Sequence, residues 1–303
     1  MIGQFLGLLL LTAPQNAPAV DPYLLAIGPP GRVRVENGLT DLRSGQKATA
    51  AEVARAARGA SFVLVGESHE TPAHHQVQAD IIRALVQDGR HVTVGFEMFT
   101  RPNQENLNPW TLGWWSEAEF VERAQWKTQW GYDFAAYRPV FEAIREFRLP
   151  MLALNVPRDW VRQVGRQGPA GLTPEQQAQV PALYLENTQH KTVFESLLGG
   201  HPLAGDQGRN MYAAMVLWDE GMADTALKYQ AASPNNPQRV IVMLAGIGHA
   251  LYKQGIDWRI QRRTGQKTVT VISIESDGPR EVSRGLGDFV FSSKPIERAP
   301  RGR

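Results

Sequence analysis

The chain has no cysteine. That absence excludes disulfides, thiolate metal sites, covalent c-type haem attachment and a lipid-modified cysteine anchor. Charge of one sign is also scarce: 32 Lys and Arg face 30 Asp and Glu, a formal net charge of +2. So small an excess argues against a nucleic-acid partner. The apolar run Phe5 to Leu11 is too short to span a bilayer, and no other stretch is long and apolar enough to be transmembrane. Low-complexity tracts are missing as well.

The short apolar run has its own reading. It is followed by Ala17-Pro18-Ala19, a small-x-small pattern that fits signal-peptide cleavage, although no Lys or Arg precedes it. Residues 1–19 are expected to be a signal peptide, which puts the protein in a secreted, periplasmic or cell-surface setting without a lipoprotein cysteine. The Pro- and Gly-rich stretch within 20–45 reads as a linker, and residues 279–303 as an irregular basic tail.

A chain of 303 residues can bury a substantial α/β core. Five apolar runs read as buried strands: residues 61–65, 92–96, 151–154, 240–245 and 268–274. They are continuous and β-branched rather than alternating, as strands of a parallel sheet are. Helical signals lie between them. Thr49 with Glu52 forms a capping box for a helix ending near Gly59, Pro72 opens a helix to about Val86, Thr173-Pro174-Glu175-Gln176 opens another, and a long helix covers about Asp206 to Gln230. The alternation predicts a mostly parallel sheet of about five strands flanked by helices, with an aromatic-rich helical insert at about 100–148.

Chemistry-bearing residues gather where these strands end. The first strand runs into Gly66-Glu67-Ser68-His69, the second into Glu97, the fourth into Gly246-Ile247-Gly248-His249. Ligands of open α/β sheets bind outside the carboxyl ends of the strands. Two carboxylates and two imidazoles, with one of His74 and His75, are thus expected in one crevice. A glutamate ending a buried strand is hard to explain as packing, because an unpaired buried carboxylate is costly. Such a set suits acid–base work, or a metal held by Glu67, His69 and His249. His91, His190 and His201 read as ordinary surface or turn residues.

The insert holds Trp110, Trp114, Trp115, Trp126 and Trp130, with Phe120, Tyr132, Phe134 and Tyr137 close by. A small core is the plainer reading; a lid over a flat apolar ligand is the other. Met211, Met215, Trp218 and Met222 share one helix face and read as core, and Arg209 and Asp219 on the same helix could reach the site. The late basic residues Arg259, Arg262, Arg263 and Lys267 read as a solvated face, or else as a site for acidic groups. Tyr252 follows His249 by three residues and could offer a phenolate to ferric iron.

Gly66-Glu67-Ser68-His69 with His74-His75, Gly95-Phe96-Glu97-Met98-Phe99, Ala153-Leu154-Asn155-Val156-Pro157-Arg158 and Gly246-Ile247-Gly248-His249 occur in an order that resembles the ChaN-like proteins of the haem-binding uptake and Tiki superfamily. The likeness spans about residues 60–275 and sets the expected ChaN-like α/β domain at 46–278. It implies haem binding in iron acquisition and a homodimer holding two haems face to face. It also implies a tyrosine ligand, here Tyr252, with Lys253 and His249 as propionate contacts. The same superfamily look extends to Tiki-type metal-dependent proteases and erythromycin-esterase-like hydrolases. That likeness implies an alternative: hydrolysis at a divalent metal or a Glu–His pair, with Glu67, His69, Glu97 and His249 as catalytic residues.

Overall fold

The computed structural model describes residues 20–232 and 236–297. The signal-peptide expectation for 1–19 lies outside the described residues, as does the basic end from 298 onward.

The chain opens with strands β1 (Arg32–Val35), β2 (Gly38–Asp41) and β3 (Lys47–Ala48), then helix α1 (Ala50–Ala56). Strand β4 (Phe62–Glu67), helix α2 (Pro72–Gln87) and strand β5 (His91–Thr100) follow. The insert carries α3 (Asn108–Thr111), α4 (Glu117–Arg123), α5 (Trp126–Gln129) and α6 (Phe134–Phe147). After β6 (Met151–Asn155) come α7 (Arg158–Gln167), α8 (Pro174–Gln177), α9 (Thr188–Leu197) and the long α10 (Gly205–Ala231). Strand β7 (Arg239–Gly246), helix α11 (Ile256–Thr264) and strands β8 (Thr268–Glu275), β9 (Arg280–Ser283) and β10 (Phe289–Ser293) close the chain.

Eight strands form one sheet in the order β3-β2-β10-β8-β4-β7-β5-β6, and β1 pairs with β9 in a separate two-stranded sheet. All neighbours from β10 to β6 are parallel; β2 runs antiparallel to both β10 and β3. The five expected strands are therefore β4 to β8, and the sheet is wider than five. Residues 20–45 are not merely a linker, and 279–303 is not merely an irregular tail: they supply β1, β2, β9 and β10. These strands are four or five residues long and bounded by turns, so no long apolar run announces them. Their signal is weaker: Val33 and Val35 alternate with exposed arginines in β1, and Phe289-Val290 starts β10.

Successive side chains of a strand face opposite sides of its sheet. Val63 and Val65 of β4 enter one core with Phe96, Trp126 and Phe141, whereas Phe62 and Leu64 enter the other with Met222, Met243 and Ile260. The first core lies under α1, α2 and the insert, the second under α10 and α11. Each fully buried Val, Leu or Phe contributes about 1.5–3 kcal/mol relative to exposure. The insert's aromatics are core: Trp110, Phe120, Trp126, Phe134 and Phe141 are buried together, and Phe96 stacks on Phe141 at 5.3 Å. Only Trp114 stands out, at 71% exposure. Met215 and Met222 of α10 are buried, as the helix-face spacing predicts.

The helix signals act as read. Thr49 and Glu52 close a reciprocal capping box on α1, Thr173 and Gln176 do so on α8, and Pro72 stands in the first turn of α2. Among the described residues no helix is long and apolar enough to cross a membrane.

Candidate functional site

Strand alternation decides where the two glutamates go. Glu67 follows Val63 and Val65 onto the face of α2 and α6. Glu97 follows Phe96 by one residue and turns to the opposite face, toward α10. Both carboxyls are almost wholly buried, so each needs partners.

Glu67 has four. His69 Nδ1 lies 3.0 Å from Oε1, and His75 Nε2 lies 2.8 Å from Oε2. The Tyr137 hydroxyl donates to Oε1 at 2.6 Å, and Gln78 Nε2 donates to Oε2 at 3.1 Å. Burial alone would raise Glu67, but His75 and His69 outweigh it and hold the carboxyl well below the usual range. Tyr137 is pushed the other way, by burial and then by the charge of Glu67, so it stays a phenol and a donor. Its ring stacks on His75 with centroids 3.7 Å apart, and Trp130 Nε1 donates to its oxygen at 2.8 Å.

Of the adjacent histidines, His75 is the one that reaches the carboxylate, through an α2 register that leaves His74 on the β8–β10 side. The Ser68 N–H donates to His74 Nδ1 at 3.0 Å, and His74 Nε2 faces the Ile274 carbonyl at 3.3 Å. Burial pulls His74 down to about 4. It is a neutral fastening of the loop that follows β4.

Glu97 accepts the Gly246 N–H at 2.6 Å through Oε2, and its Oε1 lies 3.4 Å from His249 Nε2. The other nitrogen of His249 meets Asp219 Oδ1 at 2.7 Å. With a carboxylate at each nitrogen His249 is an imidazolium. Burial opposes this, yet Glu97 and Asp219 together raise it to about 10. Asp219 also faces His190 Nε2 at 3.0 Å and Arg259 Nη1 at 3.3 Å. Arg259 and His249 overcome its desolvation and keep it ionised.

The two Glu–His pairs meet at Gly246. A Cβ there would lie 2.7 Å from His69 Cε1 and 3.6 Å from Glu97 Oε2, so only glycine admits the His69 ring beside the end of β7. His69 packs against Trp130 with centroids 4.6 Å apart. Its side chain is 13% exposed, whereas those of His75 and His249 are fully covered. Glu67 engages Nδ1, which leaves Nε2 as the ring's basic nitrogen toward the crevice. A partly open imidazole backed by a carboxylate, beside the buried Glu97–His249 pair, can take a proton.

The expected metal set does not assemble. Among the described residues no three His, Asp or Glu side chains are arranged to hold a metal ion. His69 Nδ1 is spent on Glu67, and His249 has a carboxylate at both nitrogens.

Of the expected haem contacts, His249 is enclosed between Glu97 and Asp219, and Tyr252 and Lys253 lie elsewhere. Tyr252 and Lys253 both adopt left-handed backbone, with φ 57° and 58°. Tyr252 is buried, and its oxygen accepts the Leu25 N–H at 2.8 Å. The Lys253 ammonium donates to the Thr268 carbonyl at 2.9 Å and to Asp288 at 2.7 Å. The late basic cluster is largely absorbed: Arg259 pairs with Asp219 and Glu220, Arg263 with Asp224, and Arg262 lies over Tyr184.

Two site residues, His190 and Tyr137, escape the sequence reading. His190 is buried against Asp219 and Tyr212, not a surface or turn residue. Of the two α10 residues that could reach the site, Asp219 does so, buried beside Glu220. Tyr137 was visible only as one aromatic among many. His91 and His201 are exposed, as expected, and Arg209 pairs with Asp206 at the surface.

No curated protein matches the chain. Among solved structures it is similar to "Cofacial heme binding to ChaN of Campylobacter jejuni", at 17% identity and TM-score 0.64, covering 84% of this chain and 96% of that one. An erythromycin esterase EreC mutant in its open conformation gives 16% identity and TM-score 0.46 over 82% and 83% of the two chains. The type III effector HopBA1 gives 12% identity and TM-score 0.42 over 92% and 99%. The profile of the family described as haem-binding uptake, Tiki superfamily, ChaN matches residues 53–260. Matched over most of its length, the chain belongs to that family.

Proposed function

We propose that this protein binds haem and serves haem or iron acquisition. The observation that carries this is the family match over residues 53–260, which includes the turn after β7 that bears Tyr252. A tyrosinate would supply a hard anionic ligand to ferric iron. As folded, Tyr252 does not fit that role: it is 3% exposed, burial raises its pKa, and its oxygen is engaged by Leu25. Ligation therefore requires the buried hydroxyl to become accessible. A homodimer and a periplasmic or cell-surface setting belong to the same proposal. The test is a haem titration of the chain from Val20 onward, followed by absorbance. A saturable Soret shift with tyrosinate charge-transfer bands, lost in Tyr252→Phe, supports the reading. A Tyr252→Phe spectrum equal to wild type overturns the ligand, and no saturable shift overturns haem binding.

A second reading is favoured by the paired Glu–His geometry: acid–base hydrolysis, with His69 as base held by Glu67 and the buried Glu97–His249 pair beside it. Removing a general base or its orienting carboxylate costs about 10²–10⁴-fold in rate. Glu67→Gln is expected to lose activity to that degree on any ester or phosphoester that the wild type turns over. An unchanged rate rules out this reading.

A further inference from the structure

Beside Glu97, at the carboxyl ends of β5 and β6, lies a cavity of about 330 Å³. Its polar lining is Thr100, Thr128, Gln129, Arg158, Asp159 and Arg162. Thr100 ends the strand that carries Glu97, and Arg158 starts α7 just past β6. The cavity therefore opens at the same end of the sheet as the Glu–His pairs, and neither proposed activity uses it.

Its chemistry is that of an anion receptor. Arg158 is partly buried, and Nη1 donates to the Thr128 carbonyl at 3.1 Å, which holds the guanidinium at the cavity wall. Arg162 stands one helical turn along α7, so two cations share one wall. Burial, and beyond it Arg162, weakens the hold of Arg158 on its proton, while Glu97 strengthens it. Glu97 lies within the field of both Arg158 and His69. The one acid of the lining, Asp159, pairs with Arg162, but its side chain is 81% exposed. Such an exposed pair is worth little and yields readily to a better anion. A guanidinium presents a planar fork that matches the oxygens of phosphate or carboxylate.

We propose that this cavity is a subsite for the anionic group, phosphate or carboxylate, of a substrate whose reacting bond lies at the Glu67–His69 and Glu97–His249 pairs. The inference rests on the hydrolytic reading for its purpose but not for its binding. Arg158 and Arg162 grip the anion and the neighbouring crevice receives the remainder of the molecule. A volume of this size accommodates the anionic group and a few atoms beyond it.

The test is calorimetric titration of the chain with inorganic phosphate and, separately, with acetate, at low salt. Saturable binding that weakens about tenfold or more in Arg158→Gln, and several-fold in Arg162→Gln, supports the subsite. Arg138→Gln, at a surface pair with Glu117, is expected to bind as wild type. Tighter binding of phosphate names a phosphate-bearing substrate, and tighter binding of acetate a carboxylate-bearing one. Saturation by neither anion, or equal binding in wild type and Arg158→Gln, overturns the proposal. Because Arg162 is half-exposed, its variant keeps the test decisive should Arg158→Gln not fold. The two readings fail separately: intact hydrolysis in Glu67→Gln removes the hydrolytic reading and leaves anion binding standing.

Discussion

His249 ties the site to the stability of the whole fold. Its folded-state titration lies near 10 against an ordinary 6.5, raised by Glu97 and Asp219 against the opposing effect of burial. A histidine raised in the folded state contributes stability that is fully present below the unfolded value. That stability is lost as pH rises through the folded one. Between the two values the native chain holds one proton more than the unfolded chain. Stability then falls by about 1.4 kcal/mol per pH unit. From pH 7 to 9.5 the loss is about 3 kcal/mol, a large part of a typical folding free energy. The assay is urea denaturation at half-unit pH steps, on wild type and His249→Gln. The substitution leaves the buried Glu97 without its imidazolium, while Asp219 keeps Arg259, and itself costs about 3–5 kcal/mol, so the slope is the readout rather than the intercept. Wild type is expected to lose stability steadily across the window, and the variant to be nearly flat. A flat wild-type profile, or an NMR titration placing His249 near 6.5, refutes the reasoning.

Two more outcomes follow from particular contacts. In Gly246→Ala the new methyl meets a His69 ring already fixed between Glu67 and Trp130, so a loss of about 1–3 kcal/mol is expected in urea denaturation; a change within ~0.5 kcal/mol would show the ring has room. Asp257, buried at the start of α11 and bonded by Thr270 at 2.9 Å, is raised to about 6 by burial. A raised carboxyl favours folding below its unfolded value and ceases to do so as pH rises through 6. Asp257→Asn should therefore stabilise the chain by up to about 3 kcal/mol at pH 7.5 and by little at pH 4, and an equal gain at both pH values contradicts this.

Strand ends were the most legible part of the sequence. Continuous apolar runs marked β4 to β8, and polar residues placed directly after such runs marked Glu67, His69, Glu97 and His249. The reading weakened where residues meet through helices. Nothing local separates His74 from His75, because their roles depend on the register of α2 over the sheet. Asp219 and His190 become partners only when α9 and α10 pack under β7. The metal expectation fails for a related reason: residue types fit a metal, but Glu67 and His69 bond each other and His249 lies between Glu97 and Asp219. The edge strands escaped because four-residue segments carry too little pattern to stand out from turns.

The sheet order sets a timetable for synthesis. Strand β10 lies between β2 and β8, so the hairpin of β2 and β3 reaches the sheet only across residues 289–293. A growing chain can pair β4 with β7 before β10 has been made. The first-made hairpin must meanwhile wait, with its pairing edge unmet, for the last-made strand. Contacts so distant in sequence form slowly and leave strand edges open to wrong partners. Loss of β10 would therefore detach the β2–β3 hairpin from the parallel sheet.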